Sequence, residues 1–172
     1  MEILIEEAKR LELLCLIAAE RHYAAETPWY HVNYWLGIPS TILAALAGTT
    51  ALGGSDNAKY WAAGIALVAA ALSALLTFLD PFKKASIHHT TAKHFEALFH
   101  AAGFLWRFEA KKNGVAPEQL EQELVELRKK FTDILESAPA VSGRAYEISE
   151  KNLREGKKEV LRLPQDITQT DK

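Results

Sequence analysis

Ser73, Thr77 and Asp80 stand four and three residues apart, so a helix carries them on one face. Hydroxyls ending in a carboxylate are the groups that line a water path and place an acidic ring at its mouth. Thr41, with Gly48 and Thr49 further on, is the matching candidate in the preceding apolar stretch. The structural alternative has Ser73 and Thr77 bonding back to their own helix while Asp80 opens the turn before Pro81. A second set of residues is cationic: Arg21 with His22, then Lys83, Lys84, Arg107 and Lys111. Repeated around a symmetry axis, such residues bind an anionic, phosphate-rich ligand without any excess of net charge. Lys83 and Lys84 serve equally well as interfacial lysines reaching lipid headgroups.

The histidines are conspicuous and chemically weak. His88, His89, His94 and His100 fall in one helical stretch, yet no two are three or four apart, and Glu96 with His100 is the one carboxylate–imidazole pair at ligand spacing. They read as solvated or subunit-contact histidines, with a pH-sensitive contact among their uses. A Gly-rich phosphate loop, a GxSxG elbow and an HExxH helix are all missing from the sequence. The expectation is therefore a protein that is not an enzyme and needs no metal or cofactor. A membrane enzyme built on the His89 and His94 helix is the weakest reading, since no substrate is indicated. The single cysteine, Cys15, excludes an internal disulfide and any multi-cysteine zinc site. It falls on an apolar stripe, as a small buried hydrophobe would.

The elements that must position these groups begin with two stretches free of charge, Tyr34 to Leu52 and Tyr60 to Leu79. At about 1.5 Å rise per residue, each is long enough as a helix to cross a hydrocarbon core of roughly 30 Å. The link from Gly53 to Lys59 is rich in turn formers and forces an antiparallel hairpin. Trp29, Tyr30, Tyr34 and Trp35 open the first span, Tyr60 and Trp61 open the second, and Phe78 and Phe82 close it. Aromatic residues gathered at span ends mark a membrane–water interface, whereas the central hairpin of a soluble bundle would scatter them. Pro39 lies early in the first span, where a membrane helix tolerates a kink. Ala62, Ala66, Ala70 and Ala74 form a small-residue ridge in the second, suited to close packing within the hairpin or between copies of it.

The flanks are amphipathic. Residues 2–26 carry Leu4, Ala8, Leu11, Cys15 and Ala18 at heptad-like steps, with charged residues on the other face and Thr27-Pro28 as the stop. A long helix over 82–113 presents Ala85, His88, Ala92, Phe95, Phe99, Ala102 and Trp106, broadened by Leu98, Leu105 and Phe108, and ends at Asn113-Gly114. A third helix over 117–137 starts at Pro117 and buries Leu120, Leu124, Leu127, Phe131 and Leu135. Beyond the break at Ala138-Pro139, residues 138–172 hold a short amphiphile over about 144–157 and a polar tail. The net charge of -2 announces no bulk nucleic-acid binding. With no cleavable leader in view, the first span would serve as its own insertion signal. Lysines beyond the spans place both termini in the cytoplasm. The fold class expected is all-α: a two-pass transmembrane hairpin with long amphipathic cytoplasmic helices in a bundle, assembled as an oligomer.

An amphipathic helix with Arg21-His22, two spans on a short loop, then Asp80-Pro81 and a helix bearing His89, Ala92, Phe95 and Leu98 resembles the SLATT family. These are two-transmembrane effector domains associated with nucleotide-synthesising and nucleotide-sensing proteins of bacterial defence. The resemblance covers about residues 5–137, which sets the domain at residues 1–137, and rests on architecture more than on a fingerprint. It implies a homo-oligomeric pore in the bacterial plasma membrane, a tetramer among its possible sizes. Gating would come from the cytoplasm, through a nucleotide or oligonucleotide messenger made by a partner nucleotidyltransferase encoded nearby. The competing expectation is a membrane-anchored adaptor whose helix 117–137 recruits a cytoplasmic partner.

Overall fold

The computed structural model describes residues 1–52, 56–111 and 116–156. Its elements, in order, are α1 (Glu2–Leu52), α2 (Asp56–Leu79), α3 (Pro81–Arg107), a 3-10 turn (Glu109–Lys111), α4 (Pro117–Ser137) and α5 (Gly143–Glu155). Among the described residues every regular element is helical, as the sequence indicates. The chain divides into two compact units, Met1–Ala25 with Ile87–Lys172, and Glu26–Ser86.

The stop expected at Thr27-Pro28 is not made: α1 runs unbroken from Glu2 to Leu52, with Pro28 and Pro39 inside it. A proline in a helix loses one hydrogen bond and crowds the preceding turn, at a cost of about 3 kcal/mol. That penalty bends a helix without obliging it to end where packing on both sides favours continuation. The expected cytoplasmic helix and first span are thus one element.

Glu26–Ser86 is a helical hairpin. Lys84 Nζ lies 4.4 Å over the ring centroid of Trp29, Tyr30 meets Phe82 edge to face, and a hydroxyl bond joins Ser40 to Ser73. Residue numbers falling along one side of the hairpin as they rise along the other define an antiparallel pair of helices. The link is shorter than expected, because Asp56 to Lys59 already belong to α2; Gly53 to Ser55 lie outside the described residues. Among the described residues two helices are long and apolar enough to cross a membrane, and only 11% of the most apolar window of each is buried. The core helices of a soluble bundle would be mostly covered. The hairpin buries a thin strip (Ala47, Ala62, Ala69 and Ser40) and leaves Trp35, Ile42, Leu67, Val68 and Phe78 open. Of the expected ridge only Ala62 is covered, while Ala66 and Ala70 line the open groove between the helices and Ala74 is exposed.

The other unit is a bundle built from the N-terminal half of α1, α3, α4 and α5. Its core joins Ala8, Leu11, Cys15 and Leu16 to Leu98, Phe99, Ala102, Leu105, Leu120 and Leu124. The expected stripes of α1 and α3 are inward, with two corrections: Phe108 is exposed, and Glu12 and Glu20, assigned by pattern to the solvated face, are buried. On α4, Leu135 is exposed and Ile134 packs in its place, because the row that reaches the core drifts by one residue at the helix end. Helix α3 stops at Arg107, six positions before the expected Asn113, which lies outside the described residues along with Gly114. α4 occupies the expected range, with Pro117 in its first turn and Ala138 extended behind it. α5 is capped by the Ser142 hydroxyl, which accepts from Ala145 N–H, and closes on Gly156 at φ 58, a left-handed position suited to glycine. The polar tail lies outside the described residues.

Candidate functional site

The pore-face candidates are brought to one hairpin, where nearly every polar group is used inside it. Ser40 Oγ donates to the Ala69 carbonyl at 3.1 Å, so in the 2.7 Å contact with Ser73 the Ser73 hydroxyl is the donor. Thr41 donates to Gly37 O at 2.9 Å, and Thr77 to Ser73 O at 3.0 Å. Asp80 stands at φ 42, between α2 and α3, and its carboxylate accepts the Lys83 N–H at 3.3 Å. Aspartate tolerates left-handed geometry better than most residues, and its carboxylate is a good acceptor for the first turn of a helix. The break read at Asp80-Pro81 is therefore a helix cap, as the structural alternative has it. Ser40 was missed by sequence reading. Its signal was available: with Thr41 it is one of the few hydroxyls in an otherwise apolar stretch.

The cationic candidates divide between the two units. In the bundle, Arg107 forms an ion pair with Glu12, whose other carboxylate oxygen accepts from Trp106 Nε1 at 2.7 Å. Arg21 lies over the Tyr146 ring, its guanidinium carbon 4.3 Å from the centroid, and so links α1 to α5. His22 is buried, with its Nδ1 3.1 Å from Nδ1 of His88 and its ring stacked on Phe95. Two nitrogens at that distance require one to carry a proton and the other a lone pair, hence opposite tautomers. Burial, with the neighbouring His88 adding to it, pushes the His22 imidazole down from 6.5 to about 4. In the hairpin, Lys84 is stacked on Trp29 and Lys83 is exposed at the cap. The Lys111 side chain lies outside the described residues.

The histidine-rich helix holds a polar network that the sequence did not suggest. Tyr23 donates to Glu96 Oε2 at 2.7 Å and Lys93 donates to the same oxygen at 2.9 Å. Burial works to raise the Glu96 carboxyl, but the bonds from Lys93 and Tyr23 outweigh it and hold the group below its ordinary range. Among the described residues no three His, Cys, Asp or Glu side chains converge as metal ligands. Cys15 is fully buried, and burial with Glu12 nearby pushes its thiol up to about 12, so it is a packing residue rather than a nucleophile.

The chain matches no protein-family model, no curated protein and no solved structure.

Proposed function

We propose that this chain is the subunit of a homo-oligomeric membrane pore, anchored by the 26–86 hairpin, with both termini on the cytoplasmic side of a bacterial plasma membrane. The observation that carries the proposal is the uncovered apolar surface of both hairpin helices, with Trp29, Tyr30, Phe82 and Lys84 at one end and Tyr60 and Trp61 at the other. Apolar helices paired along so thin a strip call for lipid or further copies around them. One hairpin cannot enclose water, so a pore requires several. The resemblance to SLATT domains supports the remainder: an antiviral effector opened by a nucleotide-derived messenger from a partner nucleotidyltransferase. In an assembly, Arg21, Lys83 and Lys84 would recur around the axis, and Asp80 would form the acidic ring. The purified protein in planar bilayers should give discrete conductance steps on addition of cyclic or linear oligonucleotides; silence with every such ligand rejects the pore.

A second reading, the tether of an adaptor, is favoured by one observation. The hydroxyls of Thr41, Ser73 and Thr77 are all engaged within the hairpin. Replacing residues 34–79 with an unrelated two-span hairpin separates the readings, since an adaptor keeps its activity and a pore loses it.

A further inference from the structure

Helix α3 carries two heptad rows. The inward row packs on α1; the other, Thr90, His94, Ala97, Ala101 and Phe104, continued by Phe108 just past the helix end, steps by four and three along a side that no element among the described residues covers, and Phe104 and Phe108 are 53% and 59% exposed. Alternating spacing with small residues at the middle is the pattern of a helix–helix seam. Helix α1 has its own outward row, Ile3, Arg10, Leu13, Leu14 and Ile17. α5 covers that side of α1 only higher up, through Arg21, Ala24 and Ala25. Ile3 is 79% exposed, and Leu13 and Leu14 are open as well.

We infer that these two rows are the two halves of one interface between copies of this chain, with α1 of one protomer seated on α3 and α4 of the next. Three features of the bundle select a second copy as the occupant. First, the register agrees. α1 and α3 are antiparallel, with Glu12 beside Trp106 and Arg107 and His22 beside His88. Equal heights therefore pair Arg10 with Glu109, Leu13 and Leu14 with Phe104, and Ile17 with Ala97 and Ala101. A cyclic assembly whose axis runs along the bundle brings equal heights together, and its contacts join unlike faces. Second, the surfaces agree, since Ile17 on one side meets the small residues Ala97 and Ala101 on the other, and Leu13 and Leu14 meet the exposed ring of Phe104. Third, charge agrees. The lower half of the α3 row borders a groove of about 410 Å³, lined by Phe104, Leu105 and Leu127 and rimmed by Glu109, Glu123, Glu126 and Lys130. Arg10 faces that level with its side chain 69% exposed; its carboxylate contact with Glu7 is 3.8 Å long, and Glu7 is also held by Arg128 at 3.1 Å.

The test uses the full chain in detergent or nanodiscs. Leu14→Cys with Phe104→Cys should give, on mild oxidation, a ladder of covalent species up to the mass of the intact ring by mass photometry, and neither single variant should. Buried Cys15 stays out of the reaction. Arg10→Glu should lower the oligomer fraction at least tenfold, and adding Glu109→Lys and Glu123→Lys to it should restore assembly, which also shows that the chain still folds. A monomeric wild type, an oligomer without the ladder, or a charge exchange that fails to restore assembly overturns the inference. It rests on the homo-oligomeric reading above, but fails separately from the pore: a full ladder with silent bilayers removes conductance and leaves this interface standing.

Discussion

Glu12 of α1 and Arg107 of α3 form an ion pair whose carboxylate is 1% exposed. Arg107, one of the cations that the sequence offers for an anionic ligand, is thereby occupied in joining two helices. Arg107→Ala would strand a buried charge, and stability should fall by about 3 kcal/mol, read as a drop in denaturation midpoint. Glu12→Leu with Arg107→Met should recover most of the loss. If Arg107→Ala instead left stability intact and weakened only the response to an anionic messenger, the side chain would belong to a ligand site.

Gly103 depends on the same pair. A Cβ there would collide with the Arg107 guanidinium and the Glu12 carboxylate. Gly103→Ala should destabilise the bundle by about 1–3 kcal/mol despite the better helix propensity of alanine. In the Glu12→Leu, Arg107→Met background, the penalty should shrink.

The His22–His88 contact sets a pH dependence. The folded His22 holds its proton less tightly than the unfolded one, which titrates near 6.5, because burial lowers it to about 4. Stability is thus complete above pH 6.5. It declines as pH falls toward 4, where the unfolded chain takes up a proton that the folded chain refuses, and levels off below. Chemical denaturation across that window should show a slope near one proton, and His22→Gln should flatten it. An unchanged slope in the variant assigns the effect elsewhere.

Ser40 and Ser73 supply the hydroxyl-to-hydroxyl bond of the hairpin. Ser40→Ala removes the acceptor for Ser73 and should cost about 0.5–1.5 kcal/mol, in keeping with hydrogen bonds between membrane helices. Denaturation in mixed detergent micelles measures this. Ser40→Val should cost more, since the site is 5% exposed and its extra bulk has nowhere to go.

Asp80→Asn separates charge from architecture. Asparagine caps helices about as well as aspartate and also accepts left-handed angles, so folding should change by no more than about 0.5 kcal/mol. If the chain forms the proposed pore, the variant should be less cation-selective under a salt gradient, and an unshifted reversal potential would remove Asp80 from the proposed ion path. Asp80→Ala should destabilise the α2–α3 junction by about 1 kcal/mol.

The helices were legible in the sequence because their apolar rows are long and regular. Ala92, Phe95 and Ala102 on α3, and Leu120 and Leu124 on α4, are buried as their spacing implies. The charge-free spans and the cap at Asp80-Pro81 were equally plain. Pro28 misled, because the local preference to stop was weighed without the packing on either side of it. Glu12 and Glu20 depart from the pattern because a reading of apolar and polar types assigns charge to solvent; for Glu12, only the partner helix reveals Trp106 and Arg107 as partners for its carboxylate. Much the same holds for the cationic candidates: residue type was read correctly, but whether Arg21 or Arg107 is available depends on Tyr146 and Glu12, which are distant in the chain.

The couple between Ser40 and Ser73 also governs how the hairpin zips. Turns of alanine and leucine look alike, so two such helices could dock at staggered offsets with nearly equal dispersion. Slipping by one turn would leave a hydroxyl facing hydrocarbon, and that misalignment is what the two serines make costly, much as a dowel fixes two planks.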